Sequence, residues 1–97
     1  MTISHIVLIR WAQSSTASDR VEVEGRVREL PRLIEGIDRL HDGPNVSPES
    51  LGGGFDWGFV ITFRDVEARD VYLTHPAHIP VADLIGRASE RVLVFDL

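Results

Sequence analysis

Cysteine is absent from the 97-residue chain, which excludes disulfides, thiolate metal sites and a cysteine nucleophile. Lysine is absent too. All ten basic residues are arginine, a compositional bias to which no mechanistic weight attaches. Positive charge is the scarcer sign, and the net charge of −5 argues against a nucleic-acid surface, which needs clustered cations. No apolar run approaches the roughly 18 residues of a membrane-spanning helix. The opening "SHIVLIRW" is too short for the apolar part of a signal peptide and has no basic region before it, so a cytoplasmic location is expected. Asn45-Val46-Ser47 has the form of a glycosylation acceptor, but without a secretion signal, and with Pro48 following, it means little.

What remains is an ordinary globular composition, 43% hydrophobic and 26% charged, which points to one folded domain over residues 1–97. A domain this small buries a modest share of its surface, so self-association would stabilise it.

The apolar pattern places the elements. Ser4 to Trp11 reads as a strand, with Ile3, His5, Val7, Ile9 and Trp11 on one face and Ser4, Ile6, Leu8 and Arg10 on the other. From about Asp19, Val23, Val27, Leu30 and Ile34 recur as one stripe of a helix, capped by Ser18 or Asp19. Pro31 would clash with the carbonyl of Val27, so this helix is expected to kink or stop near Leu30, with a turn at Gly36. Ile37 to Pro44 is a weaker second strand. "NVSPESLGGG" then reads as a flexible link; its glycines lack the spacing of a phosphate cradle and precede a strand. Trp57 to Phe63 is a third strand, large and apolar on both faces. Asp65 caps a short helix to about Thr74, ended by His75 ahead of Pro76. Pro80 suits the first position of a further helix carrying Val81, Leu84 and Ile85, for which Gly86 is a plausible stop. "RVLVFDL" closes the chain as a fourth strand.

This order, βαββαβ, predicts an α+β, ferredoxin-like protomer with a four-stranded antiparallel sheet. Right-handed crossovers put the helices on one side of that sheet. Strands one, three and four are nevertheless apolar on both faces, so a second apolar face would stand in water. A two-fold homodimer packed through the bare sheet faces removes it.

Taken together and in order, "HIVLIRW", "GPNVSPE", "YLTHPAH" and "VLVFDL" resemble the stress-responsive A/B barrel family, the dimeric α+β barrel (Dabb) domain. The likeness covers essentially the whole chain, and the H-P-A-H segment after tyrosine is its most specific part. It implies the same homodimeric barrel. Many members of the family have no established reaction. Others resemble cofactor-free polyketide cyclases, in which a tyrosine and a histidine drive an intramolecular aldol closure. By motif those roles fall on Tyr72 and His78, with His5 and His75 lining the same pocket. Trp57 stands where the cyclase-like members carry histidine, which changes the pocket's shape and removes a polar group.

The residues alone allow the same chemistry. Removing a proton beside a carbonyl needs a base with a pKa near neutrality, as in histidine at about 6.5. The enolate then needs a donor such as the hydroxyl of Tyr72, the one tyrosine in the chain. Tyr72 and His75 are three apart near a helix end, and His78 lies just past the Pro-Ala turn. His5 enters the same cavity if its face looks toward the helices. A pocket of this kind, polar in a few places and otherwise apolar, suits a small apolar molecule, and no cofactor is called for. A structural alternative stands beside it, in which His75 and His78 satisfy helix ends and Tyr72 is core. The H-x-x-H spacing with Asp83 also suggests a metal, but Pro76 breaks the helix that would align the ligands. Trp11, Trp57, Phe59 and Phe63 read as core, and His41 as exposed.

Overall fold

The computed structural model describes residues 1–97. It runs β1 (Ile3–Trp11), α1 (Ala17–Leu33), β2 (Ile37–Pro44), β3 (Trp57–Phe63), α2 (Val66–Leu73), α3 (Ile79–Ala88) and β4 (Ser89–Asp96). The strands form one antiparallel sheet in the order β2-β3-β1-β4, the ferredoxin-like arrangement expected. Period-2 alternation decides its faces. Ile3, His5, Val7, Ile9 and Trp11 of β1 and Trp57, Phe59, Ile61 and Phe63 of β3 are all buried toward the helices. Against them pack Val23, Val27 and Leu30 of α1, Ala68 and Tyr72 of α2, and Val81, Ile85 and Ala88 of α3.

The helices differ from expectation at their ends. α1 begins earlier, because Thr16 is its cap: the Thr16 hydroxyl accepts from the Asp19 backbone N–H, and the Asp19 carboxylate accepts from the Thr16 N–H. Such a reciprocal box satisfies two of the otherwise unpaired N–H groups at the helix start. α1 also continues through Pro31 to Leu33. The proline falls in the last turn, and the Ile34 N–H still reaches the Leu30 carbonyl at 3.0 Å. Ile34 is itself buried, which anchors the chain beyond the proline. Gly36 follows at φ +90°, where a Cβ would stand 2.7 Å from the Ala68 side chain, so α2 packs close only because no side chain is there. The second crossover holds two helices joined by a tight turn. α3 has Pro80 near its start and runs past Gly86 to Ala88; Gly86 does not take the left-handed φ with which a glycine ends a helix.

The loop between β2 and β3 is tied at its end rather than loose. Asp56 donates its N–H to Ile9, accepts from Asn45 at its carbonyl, and takes the Trp11 N–H on its carboxylate at 2.9 Å.

The opposite sheet face carries no helix. Ile6, Leu8 and Val60 there are only half-buried, and β4, an edge strand, exposes Leu93 and Phe95 beside them. No helix of the protein is long and apolar enough to cross a membrane.

Candidate functional site

The tyrosine-histidine segment folds as a turn with a cavity beside it. Asp65 caps α2 by accepting from the Ala68 N–H, and the helix places Tyr72 in its last turn, facing the sheet. The turn then closes on itself, with the His75 N–H donating to the Tyr72 carbonyl and the His78 N–H to the His75 carbonyl. His78 is thereby returned to Tyr72, and the two rings lie 4.0 Å apart between centroids, tilted by 31°. His5 comes from the middle of β1 and meets Tyr72 edge-on at 5.5 Å. The three rings line a cavity of about 350 Å3 between sheet and helices. Most of the remaining wall is apolar, including Val7, Phe59, Leu73, Ile85, Val92 and Val94.

Hydrogen bonds fix which nitrogens are free. A carbonyl can only accept, so the contact of His78 Nδ1 with the Leu73 carbonyl, 3.3 Å, puts the ring proton on Nδ1 and leaves a lone pair on Nε2. His5 Nδ1 lies 2.7 Å from the Asp96 carboxylate, which likewise only accepts when ionised. Asp96 is the last residue of β4 and pairs directly with His5 across the sheet; its other oxygen takes the Arg69 guanidinium. No protein group bonds the Tyr72 hydroxyl or either Nε2. The only fully occluded side-chain polar atoms without partners are Trp57 Nε1 and Ser89 Oγ, elsewhere in the fold.

The surroundings set the charges. Burial, and then the nearby Asp96 carboxylate, push the Tyr72 phenol well above its ordinary value, so it stays a neutral donor. Burial lowers the pKa of His78, and the Leu73 hydrogen bond only partly opposes this, so the ring is a neutral base at pH 7. Burial works to raise Asp96, but hydrogen bonds from His5 and Arg69 outweigh it and hold the carboxyl below the usual range. The cavity therefore offers a neutral hydroxyl donor next to an imidazole lone pair.

The family model described as the stress responsive A/B barrel domain matches residues 3–97. The chain belongs to that family. Among members, a stress-response A/B barrel domain-containing protein, HS1, of Arabidopsis thaliana is 31% identical over 94 residues, covering 97% of this chain and 86% of that protein. Olivetolic acid cyclase of Cannabis sativa is 24% identical over 96 residues, covering 99% and 95%. A solved structure of a dimeric ferredoxin-like protein of unknown function from Jannaschia sp. CCS1 superposes with a TM-score of 0.90 at 24% identity, covering 100% and 98%.

Within this A/B barrel domain, the expected site residues divide. Tyr72, His78 and His5 come together. His75 does not join them: its Nδ1 accepts from the Ala77 N–H at 3.0 Å, so it secures the turn, as the structural alternative proposed. Trp57 is also elsewhere. It pairs with Ile9, two same-face rows from His5, or roughly 13 Å along the strand. There it stacks on Trp11 with centroids 5.8 Å apart and touches Phe59 at 5.4 Å, closing one end of the core instead of lining the cavity. His41 is exposed, and no three His, Asp or Glu side chains gather as metal ligands. Sequence reasoning missed Asp96 and Arg69. The alternation Val92, Val94, Asp96 held a partial signal for the first, since it puts the carboxylate on the face of the cavity-lining valines.

Proposed function

We propose that the chain acts as a homodimer that binds a small apolar carbonyl compound between sheet and helices. Tyr72 and His78 are its polar contacts, and His5 is on the wall. The observation that carries this reading is the cavity itself, about 350 Å3 with three polar side chains among apolar ones. Small-molecule sites have this make-up, at roughly 300–1,000 Å3. No arginine lines it, so a neutral compound suits it better than a carboxylate. The Tyr72 hydroxyl donates to the ligand's carbonyl oxygen.

Dimerisation follows from the bare sheet face, where Ile6, Leu8, Val60, Leu93 and Phe95 would otherwise meet water. The dimeric state described for the Jannaschia protein supports the same pairing here.

A second reading, a proton-transfer enzyme working without a cofactor, is favoured by the free Nε2 of His78 beside the Tyr72 phenol. His78 would take the proton from the carbon next to the carbonyl while Tyr72 stabilises the enolate oxygen. That the family includes a cyclase is consistent with this chemistry.

The test is a thermal-shift and calorimetric screen of neutral ketones and β-dicarbonyl compounds. A ligand at a hundred times its Kd stabilises by about 2.7 kcal/mol. Hits are expected with the wild type and are expected to weaken in Tyr72→Phe and His78→Phe. Deuterium incorporation next to the carbonyl separates the enzyme from the binder. A screen without hits, or hits insensitive to both substitutions, would leave a purely structural dimer.

A further inference from the structure

Arg69 is the cation that pairs with Asp96 behind His5, and it does not line the cavity. It lies on α2 one turn before Tyr72, and positions three apart share a helix face. Its Nη1 reaches Asp96 Oδ2 at 2.5 Å, and its Nε reaches Asp70 Oδ1 at 2.8 Å. Asp96 thus has each oxygen taken by a different element, Oδ2 by α2 and Oδ1 by His5 of β1.

The arrangement matters because Asp96 ends an edge strand, where its neighbours are exposed and its own side chain is one-quarter exposed. An isolated carboxylate there would rotate freely and exchange partners with water. Imidazole in water prefers its proton on Nε2. In this protein His5 is held the other way, with the proton on Nδ1, and a fixed acceptor is what such a tautomer requires.

We propose that Arg69 is a positioning residue for the cavity. By fixing Oδ2 it presents Oδ1 of Asp96 to His5, holds His5 as the Nδ1–H tautomer, and leaves Nε2 unprotonated on a ring that lines the cavity and meets Tyr72 edge-on. Asp70 steadies the guanidinium from outside and has no contact with His5. The proposal deepens the reading of the cavity as a ligand site, because it makes His5 an acceptor for a ligand hydroxyl or enol.

The experiment is nitrogen-15 NMR of the histidine rings in the intact, ligand-free protein, at about pH 8, above the ordinary imidazole pKa of about 6.5. Wild-type His5 is expected to show a protonated Nδ1 and a bare Nε2. Arg69→Met keeps the apolar stem and removes the fork, and should shift His5 toward the Nε2–H tautomer. Arg69→Lys should restore part of the Nδ1–H signal, and Asp70→Asn should leave it nearly unmoved. Arg69→Gln replaces Arg69→Met if the latter does not fold, with the same shift expected. A His5 that remains fully Nδ1–H without the guanidinium overturns the proposal, as does a wild type with the proton on Nε2. Because no ligand is present, a cavity that binds nothing leaves this result standing.

Discussion

His78 Nδ1 bonds the carbonyl of Leu73, five residues back along the chain, and in doing so lays the ring against Tyr72 with its other nitrogen free. One contact therefore does two things. It secures the turn between α2 and α3, and it selects the tautomer that a base needs.

Tyr72→Phe separates packing from chemistry. The ring is 1% exposed and packs on Phe63, His5 and His78, while its hydroxyl bonds nothing in the protein. The melting temperature is expected to stay nearly unchanged while ligand affinity falls. Tyr72→Ala empties the core instead and should cost about 3–5 kcal/mol in urea unfolding.

The pH dependence of stability carries a His78 signature. Its pKa is lowered in the folded protein by burial, so between that value and about 6.5 the unfolded chain binds more protons. Its contribution is complete above about pH 6.5 and is lost as pH falls through the folded value. Urea midpoints measured at about pH 7.5 and 5 should therefore differ, and His78→Phe should flatten the difference. The corresponding loss from Asp96, whose folded value is also lowered, begins only below about pH 3.9, outside this comparison.

Gly86 sits inside α3 on the cavity wall, and a Cβ there would meet nothing within 4 Å. Gly86→Ala should stabilise the protein by up to about 1 kcal/mol through helix propensity. A larger side chain, as in Gly86→Leu, should keep the fold and fill the cavity.

Charge on the bare sheet face tests the dimer. Phe95 is 55% exposed on β4 and pairs with Ile6. The wild type is expected to be dimeric in light scattering at micromolar concentration, and Phe95→Asp to be monomeric. A monomeric wild type would sink the paired-sheet architecture.

Much of the fold was legible because alternation in β1 and β3 is strong: every second residue from Ile3 and from Trp57 is buried. Helix ends were less so. Pro31 argued for a stop, but its position in a last turn made the lost hydrogen bond tolerable, and buried Ile34 held the chain beyond it. Tyr72, His78 and His5 could be placed near one another from one short segment and one strand face. The supporting pair could not, since Asp96 meets His5 across 91 residues and only the β1–β4 register brings them level. Trp57 was set beside the pocket by the family resemblance alone, whereas the residues themselves read it as core; only the β1–β3 register, which pairs it with Ile9, shows how far along the strand it lies from His5.

The most direct measurement is an NMR titration of the wild type and of Gly86→Leu with the strongest carbonyl hit. The ring signals of Tyr72, His78 and His5 should move saturably in the wild type and stay still in the occluded variant. Equal shifts in both proteins, or shifts confined to the exposed sheet face, would contradict a ligand site between the sheet and the helices.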